Sequence, residues 1–274
     1  MIQQVLTLKD ALRKELNSTI DLVNDTRSKW ESSEDSIPES LWISQCIVQM
    51  IWLKINTILM LAEGTIVTTN NSNYRIFDCS SILPIVRSAY ELCFVYHNIF
   101  ITAETNIEQE ILLNIWKIRG YNSRQNMLTL PERYTTRCES DLQRISDLKA
   151  KILSLVSKLE ISDDAKKDIK CIINYKGDKI KGFKFIKENG KITKIEDIHV
   201  NQGVKEMPQF KATEALFNWT SMHTHASYLS LRQFGQSYKP DEAYYKQLKS
   251  ILTSAYLIIT TVLNDFKSQI IKTE

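Results

Sequence analysis

Four polar residues, in two pairs of equal spacing, are where chemistry would sit in this chain: Arg87 with Glu91, and Ser221 with His225. Residues four apart share one face of a helix, so each pair can point inward from its own helix. If the two faces meet, a guanidinium, a carboxylate, a hydroxyl and an imidazole line one polar pocket. The imidazole of His225, with its ordinary pKa near neutrality, is the chain's best acid or base. The Arg87 fork offers five N–H groups, of which Glu91 occupies only some, so the remainder can hold a phosphate. A structural reading stands beside the chemical one. A buried guanidinium needs a partner, and Arg87 with Glu91 makes a salt bridge that fixes helix register. Ser221 then simply orients an inward His225.

Other residues give weaker signals. His223 and His225 are two apart and point in different directions on a regular helix, so they cannot chelate one ion, and no further ligands stand at compatible spacing. His97 closes an aromatic run, and His199 follows a hairpin-like segment. Arg119 and Arg124, around Tyr121 and Asn122, form a basic and aromatic mixture of the kind that meets nucleic acid. There is no phosphate loop, dinucleotide fingerprint or pair of metal-binding carboxylates, so no cofactor and no metal is expected.

The elements that must position these groups are helices. Seven glycines and five prolines in 274 residues, with 43% hydrophobic and 24% charged content, describe a chain able to bury a full helical core. The expected fold is all-α, a helical bundle in one domain over 1–274 with a small β-hairpin insertion over 176–199. Apolar spacing predicts helices over about 7–30, 39–62, 74–100, 107–126, 141–159, 211–234 and 242–271. Ser36 is the expected cap of the second, Gly64 its stop, Pro131 a loop residue and Gly235 the end of the sixth. Pro84 falls in the first turn of the third helix or kinks its middle. Residues 68–73 form a polar turn. Alternating residues around Asn189-Gly190 give the hairpin, which is a surface insertion or a partner-binding arm.

A net charge of +3 favours an anionic partner only mildly. Five cysteines without a close pair read as reduced core thiols. The opening residues lack the order of a secretory signal, which leads to the expectation of a cytoplasmic protein. Residues 41–62 are nearly apolar enough for a membrane, but Gln45, Gln49, Lys54 and Asn56 interrupt them, so a buried helix and no membrane association are expected.

Ile85-Val-Arg87-Ser-Ala-Tyr-Glu91-Leu and Trp219-Thr-Ser221-Met-His-Thr-His225-Ala-Ser227 together resemble a large, uncharacterised bacterial helical family. In that family an R-x-x-x-E helix follows a long apolar helix, and an S-x-x-x-H helix precedes the last one. The resemblance covers roughly residues 41–234. The family is similar in outline to the HEPN superfamily, many of whose members are metal-independent ribonucleases of toxin and antiviral systems. The resemblance implies a place in a bacterial defence or toxin system, with RNA cleavage as the activity and RNA as a partner. In the usual HEPN pattern an Arg precedes a His by four to six residues. No Arg here does so, and such a site has to be assembled from separate helices. His225 would then move protons as a ribose 2′-hydroxyl attacks the neighbouring phosphate, Arg87 would offset the developing charge, and Glu91 would orient Arg87. The alternative is a non-enzymatic ligand-sensing or scaffold protein of a defence system, whose polar pocket holds a small anionic ligand. In either case a homo-oligomer is expected.

Overall fold

The computed structural model describes residues 1–32, 37–70, 72–126, 135–177, 181–207, 209–210, 214–224, 227–237 and 241–273. Of these, 76% are helical, in ten helices accompanied by two antiparallel hairpins. The mainly α expectation holds. The chain has two compact units, Met1–Tyr96 with Val204–Glu274, and His97–Gly203.

In the first unit, α1 (Ile2–Glu31), α2 (Glu39–Leu61) and α10 (Glu242–Thr273) pack against one another. The buried positions of α1 are Val5, Lys9, Leu12, Leu16, Thr19, Val23 and Thr26, stepping by four and three in turn. That is the spacing that keeps one narrow stripe against a partner helix. Lys9 is the charged member of the stripe, and its Nζ donates to the Ala62 carbonyl at 3.2 Å and to Glu63 at 3.0 Å. A cation thereby satisfies the carbonyl end of α2, where the helix dipole favours positive charge. α2 stops at Gly64, whose φ of +81° and contact with the Phe77 ring leave no room for a side chain. By length and composition α2 could cross a bilayer, but ten of its residues are buried inside this unit. The expected Ser36 cap lies outside the described residues.

The third helix starts later than expected. Tyr74 belongs to β2 (Asn73–Ile76), paired with β1 (Thr65–Thr68) across a turn that Thr69 N–H closes on the Ser72 carbonyl at 2.9 Å. Helix α3 (Cys79–Phe100) begins only after Asp78, whose carboxylate accepts from Ser81 N–H at 3.1 Å. Pro84 sits in the second helical turn. The stretch expected as one helix over 211–234 is two, α8 (Glu214–Thr224) and α9 (Tyr228–Ser237). Ser227 makes the break, because its hydroxyl accepts from Ser230 N–H at 3.0 Å and so caps α9. Gly235 lies within α9 and does not end it. The short α7 (Val200–Glu206) links the units.

The second unit holds α4 (Asn106–Gln125), α5 (Thr135–Val156), α6 (Asp163–Asn174) and a hairpin of β3 (Lys181–Glu188) with β4 (Lys191–His199). The expected Asn189-Gly190 turn is present, both residues having positive φ. The hairpin is no bare surface insertion: Ser162 N–H and Ile192 N–H exchange bonds with the Ile192 and Glu160 carbonyls, joining it to the start of α6. Periodicity alone did not reveal α6. Its start is nevertheless written in Ser162-Asp-Asp-Ala165, where the Ser162 hydroxyl accepts from Ala165 N–H at 3.1 Å. Of the cysteines expected in the core, Cys79 and Cys93 are buried, Cys46 and Cys138 half-buried, and Cys171 exposed. Pro131 lies outside the described residues.

The Ser162 hydroxyl also donates to the Thr193 carbonyl, so a Ser162→Ala variant loses a cap and a tie to β4 together. We expect it to cost about 1 to 2 kcal/mol in urea unfolding without change in the denaturant slope.

Candidate functional site

Arg87 and Glu91 are together on α3 as their spacing requires, with Nε donating to Oε1 at 2.8 Å. Their side chains are 16% and 34% exposed, so the cation is the more desolvated of the two. The guanidinium lies over the ring of Phe217 from α8, its carbon 3.7 Å from the ring centroid. Nη1 also stands 3.5 Å from the Phe217 carbonyl. An electron-rich ring face and a carboxylate thus replace much of the water the cation has lost.

Phe217 is fully buried, and the edge-on ring of Tyr90 holds it from another direction at 5.8 Å. Tyr90 and Tyr96, both without exposure, bond to Ser254 and Gln269 of α10, which sets the register of α3 on that helix. Burial pushes the Tyr96 hydroxyl pKa well above its ordinary value, and the negative charge of Asp265 raises it further. This side of α3 is built for fixed hydrogen bonds and not for proton exchange near neutral pH.

Of the other pair, Ser221 is half-buried on α8, one turn beyond Phe217 and hence on the side of the helix that meets Arg87. His225 lies outside the described residues. His223 faces another way: its Nε2 is 2.6 Å from Gln233 Oε1 on α9, which also accepts from Trp219 Nε1 at 2.9 Å. A carbonyl-type acceptor requires the proton on Nε2, leaving the buried Nδ1 with no hydrogen-bond partner. His223 is about 120° round α8 from Phe217, so it and Arg87 belong to different faces. Among the described residues no group of three or more His, Cys, Asp or Glu is placed to hold a metal ion.

Sequence reasoning missed Phe217 and Gln233 as members of these clusters. The available signal for Phe217 was its position four residues before Ser221. Gln233 carried none, because the helix break that folds α9 against α8 was not foreseen.

The basic and aromatic group of the second unit is a scaffold. Arg119 is 8% exposed and donates to the Ile172, Tyr175 and Gly177 carbonyls at 3.0, 2.9 and 3.2 Å, with its guanidinium over the Tyr175 ring. Burial pulls its pKa below the usual arginine value, and three carbonyls meet its charge. Arg124 pairs with the buried Asp141 at 3.2 Å. His199 ends β4 exposed. Compared as a sequence and as a fold, the chain matches no family model, no curated protein and no solved structure.

Replacing Arg87 with Met removes the ring contact and the ion pair together and leaves Glu91 partly buried. Stability should fall by about 2 kcal/mol, read from chemical unfolding. Glu91→Gln should cost less, about 1 kcal/mol, because its carboxylate retains more solvent and the amide oxygen still accepts from Nε.

Proposed function

We propose that this chain is a HEPN-like helical protein of a bacterial defence or toxin system that works without catalysis, as a sensor or scaffold. Arg87 and Glu91 serve in it as the latch between α3 and α8. One observation carries the reading: the Arg87 guanidinium is engaged by Glu91, by the Phe217 ring face and by the Phe217 carbonyl, all within one compact unit. A group spent on holding a neighbouring helix is poorly disposed to meet a phosphate during a reaction. His223, the imidazole described on α8, is engaged by Gln233 of α9. Ligand or partner binding acts by shifting how firmly α8 is held, which requires only a difference in affinity between two arrangements.

Metal-independent RNA cleavage is the second reading, favoured by the position of Ser221 on the Arg87 side of α8 and by the partial exposure of Glu91. In that reading the Arg87 fork offsets phosphate charge and His225 moves the proton. The cellular setting in both readings is the cytoplasm. Met50, Leu53 and Met60, exposed on α2, support self-association as a homo-oligomer.

Incubation of the purified chain with structured and single-stranded RNA in chelator separates the two. The sensor reading expects no cleavage and expects Arg87→Met to lower melting. Cleavage that disappears in a folded His225→Ala variant, with growth arrest on expression depending on the same residue, would replace it with the ribonuclease reading.

A further inference from the structure

A cleft of about 480 Å³ opens between the end of α1 and the start of α2, within the first unit. Its lining follows helix periodicity. Arg27, Trp30 and Glu31 stand at three- and four-residue steps on α1, and Trp42, Gln45 and Gln49 do so on α2. The volume is that of a small-molecule site.

Gln45 is the anomaly. It is 5% exposed on a helix whose other inward positions are aliphatic apart from Ser44, and whereas the Ser44 hydroxyl bonds to the Leu41 carbonyl, Gln45 Nε2 has no hydrogen-bond partner. A buried amide donor left unsatisfied is destabilising, so Leu or Met would serve the unliganded fold better at this position. That Nε2 nitrogen is closed to solvent, so it meets a ligand only once the side chain turns into the cleft, whose lining indicates the ligand's character. Each helix contributes one indole, and Gln49 adds a second carboxamide. Arg27 and Glu31 are bonded to each other at 2.6 Å, so the described lining residues carry no net charge.

Indoles bind flat rings by stacking, and a carboxamide can donate and accept along one ring edge, as Gln does with adenine. We infer that this cleft binds an uncharged, nucleobase-like heteroaromatic ring, stacked on an indole and bonded at its edge by Gln45. The site uses none of Arg87, Glu91 or Phe217, so it stands independently of the latch.

The test is titration of the full chain with adenosine, guanosine, cytidine and uridine, followed by indole fluorescence and calorimetry, with glucose as the non-planar control. At least one nucleoside should bind saturably, and glucose should not. Trp42→Ala and Gln45→Met should each weaken binding by roughly tenfold or more. Gln45→Met should meanwhile leave the melting temperature of the unliganded chain unchanged or raise it, since an unsatisfied donor has been removed. A folded Arg87→Met variant should bind as the parent does, which separates this site from the latch. Absence of nucleoside binding at millimolar concentration, affinity unchanged from the parent in both cleft variants, or binding of glucose in place of nucleosides overturns the inference.

Discussion

Phe217 is where the first unit is pinned. It enters from α8 with no exposed surface, takes the Arg87 guanidinium on its ring face and meets the Tyr90 ring edge-on. Those two residues are three apart on α3, so a single aromatic knob reads one face of that helix. The knob lands correctly only because α3 is already fixed in register on α10 by the buried hydroxyls of Tyr90 and Tyr96. A slip of one turn would take both hydroxyls off their partners on α10, and that cost favours the observed register.

The same economy of buried polar groups recurs away from the latch. Lys9 closes the carbonyl end of α2, and Trp52 donates its indole N–H to the Leu16 carbonyl at 2.9 Å. In the second unit Arg119 gathers three carbonyls where the chain leaves α6, and Lys187 lies 2.6 Å from both Glu104 and the buried Glu108. Most cations that the sequence marks as notable are thus occupied in joining elements. Their chemistry is structural because each has exchanged water for a fixed acceptor. Gln45 Nε2, like Asn114 Nδ2 and Thr261 Oγ1, is among the described buried polar groups for which no such exchange is made.

This contrast weighs on function. A catalytic arginine has to change its partners as charge develops on a substrate, whereas Arg87 holds a ring, a carboxylate and a carbonyl in the resting fold. Such a residue fits the sensing role proposed above, in which loosening its contacts would release its hold on α8. A sensing role therefore asks less of the observed geometry than cleavage does.

The sequence by itself determined the elements whose causes are local. Apolar steps of three and four gave α1, α2, α4, α5 and α10, and Asn189-Gly190 gave the hairpin, since both signals reside in neighbouring residues. It also placed Arg87 beside Glu91, because helix pitch alone decides that contact. Tertiary structure decided the rest. Cross-strand pairing drew Tyr74 into a strand, and the Ser227 hydroxyl divided a helix that apolar spacing alone would continue. The partners of Arg87 and His223, namely Phe217 and Gln233, depend on which helices are packed together. That packing is set by contacts between residues far apart in the chain, and no local pattern records them.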